Sequence, residues 1–129
     1  MRILQIIKIR TPMQMFIRKL FLEDLNRSDL TETDTLMGLL RRLPWNDPEV
    51  FEYGVRYLTA AWKINYASIS ALANILAGLA NYQDEMAVRV VDNVLDDVRT
   101  HLELNNAKFN QRRLAMVRYL GEMYNVSRE

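Results

Sequence analysis

From Asp84 to Asn105 the chain reads DEMAVRVVDNVLDDVRTHLELN, with no glycine or proline to interrupt it. Apolar side chains recur there in steps of three and four, the signature of one long amphipathic helix. Val91, Val94, Leu95, Val98 and Leu102 are expected to form its buried face. At roughly 100° per residue, Asp92, Asp96 and Glu103 fall within about 40° of each other on a second stripe, which Arg99 shares. Burial gives no reason for three carboxylates in line. The expectation is that the rest of the chain is a scaffold that presents them to a basic partner.

The scaffold must be helical and compact. A chain of 129 residues holds one domain's core, and half of it is hydrophobic against a quarter charged. Four glycines and three prolines supply few turns, which suits long helices joined briefly. The formal charge of +1 selects no partner by itself, so any electrostatic signal is local. The absence of cysteine removes disulfides and thiolate sites and agrees with a reducing compartment. No apolar run is long enough to cross a bilayer, so no membrane association is expected. Lys8 and Arg10 interrupt the apolar opening, which also lacks a small-residue cleavage site, so a signal peptide is not expected. The sequon Asn125-Val126-Ser127 is read as chance.

Residues 1–10 stay unassigned, as a short extra helix, a strand-like arm or an added leader. A first helix starts at Thr11, whose side chain can cap, with Pro12 at the first helical position and Gln14 at capping-box spacing. Its face is Met13, Phe16, Ile17, Leu20 and Phe21, and it fades near Asn26–Ser28. The second helix, Glu32 to Leu43, is expected to be capped by Thr31 and to bury Leu36, Leu39, Leu40 and Leu43. Pro44 ends it, because the residue before a proline avoids helical geometry. Asp47 and Pro48 open a third, with Phe51, Val55, Leu58 and Trp62 inward. A fourth, Tyr66 to Ala80, directs Ile69, Leu72, Ala73, Leu76 and Leu79 inward and is rich in small residues that permit close approach. The sixth, Ala107 to Tyr124, contributes Phe109, Ala115, Met116, Tyr119, Leu120 and Met123.

The helix pairs begin near residues 11, 48 and 84, intervals of 37 and 36 residues. Even spacing with short loops favours an all-α solenoid of about three stacked antiparallel hairpins (HEAT-like) over a compact bundle.

LPWNDPEV, NYASISALANILAGLANYQ, VVDNVLDDVRTHLELNNAKFNQRR and YLGEMYN together resemble the helical-repeat family typified by the middle domain of eukaryotic initiation factor 4G. The likeness runs from Pro12 to Asn125 and is strongest to the third such domain of the nonsense-mediated mRNA decay scaffold. That resemblance implies about five hairpins in a full domain, so residues 11–129 resemble a first half within a longer chain. It implies a cytoplasmic, perinuclear protein-interaction module. The implied partner is the RNA-recognition-motif domain of up-frameshift protein 3, which meets acidic side chains with a basic surface. The decay-specific phosphatidylinositol-kinase-like kinase is implied as a second. Carried over, the contact residues are Asp92, Asp96 and Glu103, with Asp97 ranked lower because the wheel turns it away, and Arg99 within the stripe. Without the second half, helix six is expected to expose Met116, Tyr119, Leu120 and Met123 and either to self-associate there or to be partly molten at that end.

Blander or competing readings attach to each feature. A charged helix face is commonly only solvated, which would make the chain a purely structural repeat. The basic start of helix six, Lys108, Arg112, Arg113 and Arg118, is a candidate RNA contact, since phosphates require only aligned positive charge. Internally, Arg112 or Arg113 can instead pair with carboxylates of helix five. His101 reads as a surface residue, and Trp45 and Trp62 as packing anchors. Asp96 and Asp97 diverge by about 100° and cannot face one bond together, so no catalysis, cofactor or metal is expected.

Overall fold

The computed structural model describes residues 11–25, 30–104 and 106–127. Six α-helices account for most of them, with no strand among the described residues. They are α1 (Pro12–Lys19), α2 (Leu30–Arg41), α3 (Pro48–Thr59), α4 (Ile69–Ala80), α5 (Asp84–Leu104) and α6 (Asn110–Ser127).

Local chemistry sets the starts. The Thr11 hydroxyl accepts from the Gln14 amide at 3.2 Å while the Gln14 side chain accepts from the Thr11 amide at 3.1 Å, closing the expected capping box. Asp47 accepts from the Glu49 amide at 3.0 Å ahead of Pro48. After Lys19 the first helix widens into a π-turn, Leu20–Asp24, and the Leu25 amide donates back to the Leu20 carbonyl. Leu20, Phe21 and Leu25 lie buried in the core along this turn. α2 is already helical at Leu30, two residues ahead of the start expected at Glu32. α4 and α6 each enter through a 3-10 turn, at Tyr66–Ser68 and Ala107–Phe109. The expected fading of helix one at Asn26–Ser28, and residues 1–10, lie outside the described residues.

The helices stack as hairpins in two layers. α1 packs on α3 and α3 on α5, while α2 packs on α4 and α4 on α6, with α5 and α6 closing the last pair. That is a solenoid order. Its core holds Ile17, Leu40, Leu58, Leu72, Leu79 and Met86, with α4 the most buried helix, as its small residues suggested.

Two expectations about faces need correcting. Met116 and Tyr119 are fully buried rather than exposed, because α6 turns them onto α4 and the 3-10 turn at Ala61–Lys63. Burial pushes the Tyr119 phenol well above its ordinary pKa, and its hydroxyl donates to the Leu58 carbonyl at 2.7 Å. The exposed apolar residues of α6 are instead Leu114, Val117 and Tyr124, on the opposite side, with Leu120 and Met123 half-buried. On α5 the buried residues are Met86, Val90, Val94 and His101, whereas Leu95 and Leu102 face solvent, Leu102 at 60% exposure. α5 is covered on the sides where α3, α4 and α6 lie, so its apolar sector extends beyond the part that finds a partner. Smaller shifts of the same kind leave Leu39 exposed and Phe51 and Trp62 half-buried, while Val50, Tyr53 and Tyr57 enter the core.

Trp45 anchors the first junction. Its indole N–H donates to the Leu40 carbonyl at 2.8 Å, and its ring lies against Gly54, where an added Cβ would collide with it. The ring is pinned and cannot yield, so Gly54→Ala is expected to destabilise the fold by about 1–3 kcal/mol. Gly78 meets only the flexible end of Met37. There, Gly78→Ala should be near neutral, since helix propensity offsets a small side-chain shift. Urea melts of the two variants followed by circular dichroism separate these outcomes.

Candidate protein-docking face

α5 runs unbroken across the last hairpin, so residues spaced along it keep a fixed register. Asp92, Asp96, Arg99 and Glu103 are all exposed, on the side of α5 opposite Met86, Val90 and Val94. Their side chains make no hydrogen bond or ion pair with any described residue. Glu85, seven residues before Asp92, is exposed on the same stripe and went unnoticed in the sequence because it sits in the helix's first turn, where acids are common.

Asp97 does something different. It points between α5 and α6, its side chain only 10% exposed. The Arg112 guanidinium grips it, with Nε donating to Oδ1 at 3.1 Å and Nη2 to the same oxygen. The Arg112 guanidinium carbon also sits over the Trp62 ring, 3.6 Å from its centre. The internal pairing foreseen for Arg112 is therefore present. His101 joins this cluster rather than the surface: it is 8% exposed, edge-on to Phe109, with Nδ1 2.9 Å from the Asp97 carbonyl oxygen. An apolar neighbour and a hydrogen bond four residues back satisfy it, which the charge pattern alone could not reveal. Asp97→Asn should lower stability by about 1–3 kcal/mol, since it leaves a partly covered guanidinium without its counter-charge. Binding through the outward stripe should be unchanged by it, which a titration beside a thermal melt checks.

The basic start of α6 is largely turned to structural use. Arg113 donates to the Asn106 carbonyl. Arg118 sits 4.6 Å from the Tyr66 ring centre and 3.6 Å from Glu122. Lys108 is exposed, beside the Phe109 ring. These four cations do not form one continuous exposed track.

A second interhelix pair borders the stripe. Glu52 of α3 holds Arg89 of α5 through both carboxylate oxygens, Nη2–Oε2 being 2.9 Å and Nη1–Oε1 also bonded. Those hydrogen bonds lower the Glu52 pKa and raise that of Arg89. The described residues contain no group of three histidines or acids able to hold a metal, and no helix long and apolar enough to cross a membrane. Chemically, the face offers carboxylates that can accept charge-assisted hydrogen bonds from lysine or arginine.

Comparisons with known proteins agree with this architecture. Regulator of nonsense transcripts 2 from Homo sapiens is 42% identical over 118 residues, covering 92% of this chain and 9% of that protein. Regulator of nonsense transcripts UPF2 from Arabidopsis thaliana is 37% identical over 121 residues, covering 94% and 10%. Nonsense-mediated mRNA decay protein 2 from Saccharomyces cerevisiae is 31% identical over 119 residues, covering 92% and 11%. The chain thus spans about a tenth of the length of these relatives. Residues 18–128 match the MIF4G domain, which takes in nearly all of the helical stack. The chain belongs to the MIF4G domain family.

Proposed function

We propose that the chain is a protein-docking module of nonsense-mediated mRNA decay, corresponding to the first half of the third such domain of up-frameshift protein 2. Its partner is the RNA-recognition-motif domain of up-frameshift protein 3, which docks a basic surface on Asp92, Asp96 and Glu103. The observation that carries this reading is that these carboxylates stand outward on one unbroken helix and make no ion pair with any described residue, while Asp97 and Glu52 each do. The names of the relatives support the pathway. Leu95, exposed one residue before Asp96, can supply apolar contact beside the charges, where exclusion of water strengthens them. The test is capture of that RNA-recognition-motif domain by the wild-type chain and by Glu103→Arg. Retention by both would overturn the reading. The same immobilised chain tests the decay-specific phosphatidylinositol-kinase-like kinase as a second cytoplasmic partner, which should be retained from a solution of the purified kinase.

RNA contact through α6 is the weaker reading, because Arg112 is committed to Asp97 and Trp62 and Arg118 to Tyr66 and Glu122. It predicts affinity that falls steeply with salt and drops in Arg112→Gln/Arg113→Gln.

A further inference from the structure

We infer that Glu52, on a different helix from the acidic stripe, keeps that stripe open by holding Arg89 away from it. The inference rests on the docking reading above and names a positioning residue for it.

Arg89 occupies an awkward place for an acidic docking face. It follows Glu85 by four residues and precedes Asp92 by three, so both carboxylates lie within one helical turn of it. A glutamate four residues ahead of an arginine is the favourable order for a pair along a helix. Left to itself, Arg89 would fold along α5 onto Glu85 or Asp92. It would then cancel charge at the N-terminal end of the stripe. The structure shows another arrangement. Arg89 reaches across to α3, where Glu52 takes it with both oxygens, and the Phe51 ring lies 5.6 Å from the guanidinium carbon. A planar two-bond grip outcompetes single contacts along the helix because it fixes the guanidinium's orientation. Glu85 acts on Arg89 only through space, making no hydrogen bond to it among the described residues.

The consequence concerns specificity. The partner meets Asp92 as a full carboxylate only while Glu52 occupies Arg89. The three side chains therefore behave as one unit, and a change on α3 should be felt at a contact on α5.

Four variants of the 129-residue chain test this against the RNA-recognition-motif domain of up-frameshift protein 3, by calorimetric titration at two salt concentrations. Glu52→Gln should weaken binding roughly three- to tenfold and flatten its salt dependence, because the released Arg89 neutralises part of the stripe. Glu52→Gln/Arg89→Gln should restore both the affinity and the salt dependence. Glu49→Gln removes the same charge from an exposed site on α3 without releasing Arg89, and should change affinity by less than twofold. Thermal melts confirm that each variant is folded. Equal weakening by Glu49→Gln and Glu52→Gln would mean that only net charge matters, and would overturn the inference. So would unchanged binding by Glu52→Gln, or a double variant as weak as the single one. Glu103→Arg, run alongside, separates the two ideas. If it binds undiminished, the docking reading itself has failed. If it loses binding while Glu52→Gln does not, only the role of Glu52 has failed.

Discussion

Glu103→Arg is expected to reduce binding of the basic partner by on the order of 100-fold, or about 2.7 kcal/mol. Two effects add. The variant loses a carboxylate that accepts charge-assisted hydrogen bonds, and it places a positive charge against a positive surface, a juxtaposition that costs several kcal/mol. The fold should not suffer. Glu103 is exposed, has no partner among the described residues, and lies one residue before the end of α5 at Leu104. A negative charge there opposes the helix dipole, so arginine should leave the melting temperature unchanged or slightly raised. Lost binding in a folded variant therefore reports on the interface. Titration calorimetry beside a circular dichroism melt reads both quantities, and undiminished binding by the folded variant would refute the docking reading.

Tyr119→Ala is expected to be the most damaging single change to the fold, at about 3–5 kcal/mol. Tyr119 is fully buried, and its ring fills space between α6 and the end of α3. Its hydroxyl also serves the Leu58 carbonyl, one of the helix-end acceptors that has no partner within α3. Truncation would leave both a cavity and an unsatisfied carbonyl. For a domain of this size the melting temperature should fall by roughly 10 °C or more. Tyr119→Phe removes only the hydroxyl and should cost about 1–3 kcal/mol. A melt in which Tyr119→Ala falls by no more than a surface substitution does would show that α6 is not packed as described.

How much of this was written in the sequence depends on the kind of information involved. The capping box at Thr11–Gln14 and the Asp47–Pro48 start could be read directly, because those motifs act through neighbours a few residues away. The π-turn at Leu20–Asp24 could not, since Ile17, Leu20, Phe21 and Leu25 carry the apolar spacing of an ordinary α-helix. Helical periodicity found the acidic stripe because carboxylates spaced seven and four apart need no tertiary context to align. The same periodicity misjudged the apolar face of α5. A wheel shows that Leu95 and Leu102 share a side, but not whether anything covers that side. Met116 and Tyr119 were misread for the converse reason, as a neighbour that only folding supplies covers them completely.

The sequence by itself determined the all-α class, the capped helix starts at Thr11 and Asp47, the even hairpin spacing and the positions of the carboxylates on α5. Each depends on forces that act within about one helical turn. The tertiary structure alone decided which charges are spent. The wheel turns Asp97 away from Asp92, Asp96 and Glu103 but does not show what it faces, and nothing local marks Glu52 as paired. Both are paired because Arg112 and Arg89, distant in sequence, come within hydrogen-bonding reach once the helices stack.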